Sequence, residues 1–303
     1  MSFAQVHFWP GVPDLAALGA RQVEDLLGTG DALEEEERAE VVAQEEGRVV
    51  LRYPLPGTVT RVGERGRRPR GAGTGFVYLT RWTGGSLSER MSARLTPPRS
   101  SSFAAREWNL ICHLREHGVG TAEPLAMGEE RASVFARRSF LVTRELESMQ
   151  RLPDYLAREH GAEPRRHLAH ALGLFVARLR DARVELPGLE LRQLFVSISG
   201  SGESCAVQQL SEALGADTPV SGLRRSRLPQ IALTSVRGGR VREAVQPEAA
   251  AEWLRRWVDQ LEPAWEVSPL ELARVAHHAL TRGGSRARRR ALWHRHLLPS
   301  RAR

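Results

Sequence analysis

The run from Ser101 to Leu146, SSFAAREWNLICHLREHGVGTAEPLAMGEERASVFARRSFLVTREL, constrains the fold of this chain more than any other. Phe103, Ala104, Trp108, Leu110, Ile111 and Leu114 recur at three- and four-residue steps, which is the apolar face of a helix. Glu107 falls within that face, four residues after Phe103 and three before Leu110. A buried carboxylate is costly unless a cation or a hydrogen-bond donor meets it. Two readings stand: an inward Glu107 with a cationic partner, or a Glu107 at the edge of the stripe reaching water or an arginine. The helix should stop at His117-Gly118-Val119-Gly120, and two strands should follow, Pro124 to Gly128 and Ser139 to Glu145.

Upstream, Arg48 to Tyr53 and Phe76 to Trp82 read as strands. Asp14 to Leu27 is a short helix candidate, and the acidic run Glu34 to Glu37 reads as a solvated face. Gly63 to Gly75 mixes glycine with bulky arginine and carries no GxGxxG spacing; it reads as an exposed hairpin tip, with a nucleotide cover loop as the alternative. Downstream, Arg151 to His160 and Pro164 to Arg183 read as helices, the latter carrying Leu168, Ala171, Leu172, Phe175, Val176 and Leu179 at helical spacing. His167 and His170 in its first turns read as solvated or packed rather than ligating. Ser197 to Pro229 looks like a surface insertion with a short helical piece, Gln208 to Leu214. Gln230 to Val236 reads as a strand, and two apolar stripes follow, one of Trp253, Leu254, Trp257 and Leu261, the other of Leu270, Leu272, Val275, Ala276, Ala279 and Leu280.

The segment AAREWNLICHLREHGVGTAEPLAMGE followed by SFLVTREL resembles the bacterial lipopolysaccharide kinase family, the heptose and Kdo kinase branch of the protein-kinase-like fold. The resemblance is strongest over residues 76 to 146 and continues more weakly to the last third. It implies an α+β, two-lobe fold: a small antiparallel-sheet lobe with one main helix, and a larger, mostly helical lobe. The implied domains are an N-terminal extension (1–46), a kinase-like N-lobe (47–146), a C-lobe (147–281, with 197–229 as the insertion) and an Arg-rich tail (282–303).

The resemblance also fixes where chemistry should reside. In the family a strand Lys pairs with the helix Glu and holds ATP phosphates; the matching positions here are Thr80 and Glu107. Arg81 follows Thr80, but strand alternation turns it to the other face. The family's catalytic Asp corresponds to Gly188, and the metal-facing position five residues on to Gln193. The Asp that anchors the metal corresponds to Thr234. Glycine cannot accept a substrate proton, and a neutral amide and a hydroxyl are weak Mg²⁺ ligands. Asp181 and Glu185 lie near, three to seven residues from the catalytic position.

Composition sharpens this. All 44 basic residues are arginine, so no lysine exists to grip a phosphate, and a guanidinium does not replace it in a tight pocket. Phosphoryl transfer depends almost entirely on placed charge. The expectation is a pseudokinase, a binding or regulatory module of cell-envelope glycolipid synthesis, needing no cofactor or metal. The first alternative is an active kinase of a lipopolysaccharide core sugar using ATP and Mg²⁺. The second is a basic protein that binds nucleic acid or a membrane surface.

The formal charge of +8 and the eight arginines from Arg282 to Arg303 suit an anionic partner such as an acidic glycolipid or a membrane surface; an active kinase is a further candidate partner. No nucleic-acid motif is present. Cys112 and Cys205 show no metal spacing, and Cys112 reads as a small core residue. With no basic, apolar leader at the start and no run of about 20 apolar residues, the expected location is the cytoplasm, including the inner face of the membrane.

Overall fold

The computed structural model describes residues 3–12, 14–18, 20, 22–28, 39–45, 47–55, 75–83, 102–131, 137–146, 149–158, 160–197, 229–243, 247–260, 265 and 267–281. The acidic run, most of the 63–75 segment, the proposed helix at 208–214, Cys205 and the tail lie outside them. The chain divides into two compact units: residues 1–112 with 122–147, and residues 113–121 with 148–303.

The first unit is built on a six-stranded antiparallel sheet. Its strands are β1 (Phe3–Phe8), β2 (Glu40–Glu45), β3 (Arg48–Pro54), β4 (Phe76–Trp82), β6 (Pro124–Arg131) and β7 (Arg137–Arg144), in the order β1-β6-β7-β4-β3-β2. β5 (Gly120–Thr121) belongs to the second unit. The runs RVVLRYP and FVYLTRW are rich in β-branched and aromatic residues, which suit a pleated, half-buried surface. The first 46 residues do more than extend the sheet lobe: they supply β1 and β2, one at each edge. The helix expected from Asp14 to Leu27 is a 3₁₀ turn, Ala16–Leu18, followed by the short helix α1 (Val23–Leu27).

These N-terminal pieces cover one face of the sheet. Leu18, Ala20, Leu26 and Leu27 pack with Leu51, Val77, Leu79, Leu125, Ala126, Phe140 and Val142 in one buried cluster. Burying each large apolar side chain there is worth about 1.5–3 kcal/mol. Val77, Leu79 and Arg81 share this face of β4. Arg81 accordingly serves structure: its Nε donates to the Leu26 carbonyl (2.9 Å) and its Nη2 to the Asp25 carbonyl (2.5 Å), satisfying the open C-terminus of α1. Gly28 ends that helix at φ +75°, and a Cβ there would lie 3.1 Å from the Arg81 guanidinium, so both backbone and packing call for glycine.

Helix α2 (Phe103–Glu116) begins in the first unit, and its residues from His113 belong to the second. Ala104, Leu110, Ile111 and Leu114 are buried, as the periodicity predicts, and Trp108 meets Trp9 edge-on at 5.9 Å. The expected stop is present: Gly118 adopts φ +69° and Val119 N–H donates to the Leu114 carbonyl at 2.9 Å.

The second unit has a four-stranded sheet ordered β5-β11-β10-β8, from β8 (Met149–Arg151), β10 (Leu194–Ser197) and β11 (Ile231–Leu233), with β5 parallel to β11. A separate two-stranded ribbon pairs β9 (Val184–Glu185) with β12 (Arg240–Val241). The helices are α3 (Leu152–Leu156), α4 (Ala162–Asp181), α5 (Pro247–Gln260) and α6 (Pro269–Thr281). The helix expected over Arg151 to His160 is therefore a single short turn, stopped where the His160 ring bonds the Tyr155 carbonyl (2.6 Å) and stacks on the Tyr155 ring. α4 packs along α6, and the Arg165–Glu271 ion pair (2.7 Å) ties their ends.

Candidate functional site

Two loops of the second unit carry the positions at which chemistry was expected. The first, residues 186–193, leaves β9 and enters β10; the second, residues 234–239, leaves β11 and enters β12. Because β10 pairs with β11 and β12 returns to pair with β9, both loops emerge from one small framework. Strand β10 was not anticipated, although Leu194-Phe195-Val196 is a β-favouring triplet with alternating burial.

The loops meet at Gln193 and Thr234. The Gln193 carbonyl accepts from Thr234 N–H (3.1 Å) and from Thr234 Oγ1 (3.3 Å). The Gln193 side chain turns back into its own loop, where Oε1 accepts from the Glu190 N–H at 3.1 Å. Gly188 sits at an exposed turn closed by Leu189 N–H donating to the Leu186 carbonyl (3.2 Å), and a Cβ there would meet nothing within 4 Å. The absence of a side chain at Gly188 is thus not imposed by crowding.

Helix α5 clamps the first loop. Arg256 Nη1 donates to the Pro187 carbonyl, Trp257 Nε1 to the Leu189 carbonyl (3.3 Å), and Gln260 Oε1 accepts from Leu191 N–H (3.0 Å). Sequence reasoning took Trp257 only as part of an apolar stripe. The signal lay in the neighbouring spacing, since Arg256, Trp257 and Gln260 fall within one helical turn. Trp257, Leu191, Leu168 and Leu272 also line a largely apolar cavity of about 80 Å³ in this unit.

Carboxylates on these loops reduce to one. In residues 186–193 and 234–239 only Glu190 is acidic, and it is ion-paired with Arg192. Glu185 is held by Arg242 at 2.7 Å, and Asp181 lies 3.6 Å from Arg180. The donor set facing a Mg²⁺ ion would be an amide and a hydroxyl, both already engaged with backbone, so these residues do not fit the metal. Among the described residues no cluster of three or more His, Cys, Asp or Glu is arranged to hold one.

Thr80 and Glu107 lie in the first unit. Thr80 is buried mid-sheet, opposite Val50 on β3 and Leu141 on β7. Glu107 is half-buried and engaged in a polar interaction, an intermediate outcome for a residue read as either inward or marginal. His167 lies 4.0 Å from Glu163, consistent with a solvated first turn. Cys112 is half-buried and unbridged.

The antiparallel sheet with one main helix, followed by a mostly helical unit carrying paired loops, defines an α+β, two-lobe kinase-like protein. A solved structure of WaaP in complex with acyl carrier protein shares this fold, with a TM-score of 0.54 over 91% of this chain and 90% of that one at 18% identity. The sequence profile of the lipopolysaccharide kinase (Kdo/WaaP) family matches residues 60–209. The lipopolysaccharide core heptose(I) kinase WaaP of Escherichia coli is 35% identical over 104 residues, 34% of this chain and 39% of that protein. Its counterpart in strain K12 is 32% identical over the same length. The match thus spans about two fifths of these curated relatives. The chain is similar to the lipopolysaccharide kinase (Kdo/WaaP) family over residues 60–209, just under half of its length. Among the described residues no helix is long and apolar enough to cross a membrane.

Proposed function

We propose that this protein has given up phosphoryl transfer and acts as a binding or regulatory module of cell-envelope glycolipid synthesis, working without ATP or Mg²⁺. The observation that carries this reading is the state of the paired loops. Gly188 presents no acid, Gln193 and Thr234 are neutral and hydrogen-bonded to backbone, and the sole loop carboxylate is occupied by Arg192. With no lysine in the chain to take the Thr80 role, three placed charges are missing, and such groups supply most of the rate enhancement of a phosphotransferase. The clamp from α5 supports a role for the loop as an ordered surface, since three hydrogen bonds hold a turn that has no acid to position.

The partners that suit a chain of formal charge +8 are anionic: an acidic glycolipid or the inner membrane surface, with an active envelope-sugar kinase as a protein partner. The cytoplasmic face of the membrane is the location this implies. Because the solved relative is in complex with acyl carrier protein, that protein is a second candidate for a pull-down.

The test is a thermal-shift titration of the purified chain with ATP, with and without Mg²⁺ or Mn²⁺. A ligand that binds only the folded state raises its melting temperature. The expected result is no shift at millimolar nucleotide and no ATP turnover. A metal-dependent shift with phosphorylation of a lipopolysaccharide core sugar would establish the active-kinase reading instead. One observation favours that second reading: Glu190 is a carboxylate on the loop itself, two residues from Gly188. Glu190→Gln should then abolish the turnover.

A further inference from the structure

The ribbon of β9 and β12 has no part in the reading above, yet it gathers arginines. Its register sets Arg240 across from Glu185, and Arg242 N–H donates to the Arg183 carbonyl at 2.8 Å, so Arg183 and Arg242 extend the same ladder by one step. All three arginines are exposed. Glu185 neutralises one of them, accepting from Arg242 Nε at 2.7 Å. Among the described residues, neither Arg183 nor Arg240 has a carboxylate partner. Glu243, which directly follows Arg242, is exposed and lies beyond the end of β12.

A second, independent observation falls on the same spot. Arg183 is the only non-glycine among the described residues with positive φ, at 59°. It occupies the position just past the C-cap residue of α4, Ala182, where glycine is the usual occupant because a Cβ strains the left-handed conformation. An arginine there spends stability, and nothing within the described fold recovers it through a side-chain contact. Backbone strain retained at an exposed cationic residue points to a ligand that the side chain serves.

We infer that Arg183 and Arg240, with Arg242 beside them, form an anion site for a phosphate group on the β9–β12 ribbon. Guanidinium groups suit this ligand because their planar donors match phosphate oxygens in pairs and keep their charge at any physiological pH. The site is separate from the Gly188, Gln193 and Thr234 positions and needs no metal. The same chemistry could be offered by a phosphorylated lipid headgroup or by a soluble phosphate compound.

The experiment uses the full chain and two variants, Arg183→Gly and Arg240→Gln. Pyrophosphate binding is measured by calorimetry at low and high salt, and vesicle binding by sedimentation with phosphatidylglycerol against phosphatidylcholine. Each substitution is expected to weaken anion binding about tenfold, with affinity falling as salt rises. Arg183→Gly should at the same time hold or raise the melting temperature, by roughly 1–2 °C, because glycine relieves the strain. That combination separates a ligand role from a structural one. Variant-sensitive binding of phosphatidylglycerol vesicles would assign a lipid headgroup; variant-sensitive binding of pyrophosphate alone would assign a soluble phosphate. No binding of either probe, or binding that survives both substitutions and so belongs to the Arg282–Arg303 tail, would overturn the inference. ATP turnover is not read here, so this result stands or falls apart from the pseudokinase reading.

Discussion

The sheet of the first unit and the paired loops of the second are held by different forces. The sheet rests on apolar area: Phe140, Val142, Leu79 and Val77 are essentially closed to water and packed against Leu18, Leu26 and Leu27. The loops rest on directed hydrogen bonds from Arg256, Trp257 and Gln260 and on the Gln193–Thr234 contact, with exposed residues at Pro187, Gly188 and Thr234. Apolar packing depends on volume and is indifferent to catalytic charge. The bonds from α5 go to loop backbone groups and are equally indifferent to the side chain at Gly188. A kinase-like scaffold can therefore persist in both regions whatever charge stands at those positions.

The largest effect that would test this contrast is Phe140→Ala. The side chain is fully buried against Gly128, where a Cβ would already lie 2.4 Å from the ring, so the void has little chance to collapse. A loss of about 3–5 kcal/mol is expected in urea unfolding, with the slope unchanged. Thr80→Lys should cost about 2–3 kcal/mol, because an ammonium enters a site that is 9% exposed. A double-mutant cycle with Glu107→Gln then asks whether the carboxylate can still answer that cation. A coupling above about 1 kcal/mol would show that the family's Lys–Glu geometry is intact; additivity would place Glu107 at the margin.

Trp257→Phe keeps an aromatic ring but loses part of its volume together with the donor to the Leu189 carbonyl, and should cost about 1–3 kcal/mol. The loss should appear as faster amide exchange at Leu189 and Leu191 while the first sheet stays protected, which would confirm that the loop is a locally held unit.

Glu271 gives a pH signature. Burial pushes its carboxyl up, but Arg165 and the backbone and hydroxyl of Ser268 together outweigh it and hold it below the ordinary glutamate value. A depressed folded-state value means that the contribution is complete above the unfolded glutamate value and is lost as pH falls through the folded one. Stability of the second unit should accordingly drop on acidification below that ordinary value, and Glu271→Gln should flatten the drop by about 1 kcal/mol.

The smallest effect is Gly188→Asp. The turn has room and no positive φ, so stability should move by less than about 0.5 kcal/mol. With Thr80 and Thr234 unchanged, ATP turnover should not appear. Turnover in this single variant would show that one missing acid was the whole defect.

Much of the scaffold was legible because it is written in periodicity. Helix α2 and strands β3, β4 and β7 fall within a residue or two of the expected bounds, since the helix carries 3.6-residue apolar spacing and the strands are short runs rich in β-branched and aromatic residues. The family resemblance also supplied four positions at which to look for chemistry, Thr80, Gly188, Gln193 and Thr234. What escaped was non-local. β1 and β2 read as featureless because β2 is an exposed edge strand, with Val41 and Val42 facing solvent, and its identity comes from the register with β3. β10 is four residues long, and its strand character depends on pairing with β8 and β11. The helix candidate Asp14 to Leu27 ends where expected but is broken near its start, where Ala20 N–H donates to the Leu15 carbonyl (3.1 Å) and Gln22 N–H to the Asp25 carboxylate (3.0 Å) before α1 begins.

The sequence alone supplied the family resemblance, with the α+β class that the resemblance implies, and the absence of any lysine, because a motif and a composition are properties of residue type along the chain. Tertiary structure decided the rest. It assigned Arg81 to a helix end instead of a cleft, and tied Gln193 to Thr234 across forty-one residues. It also aligned Arg183 with Arg242 at a strained turn. Hydrogen bonds and charge clusters between distant segments exist only after the apolar faces have chosen their partners, so no window along the chain contains them.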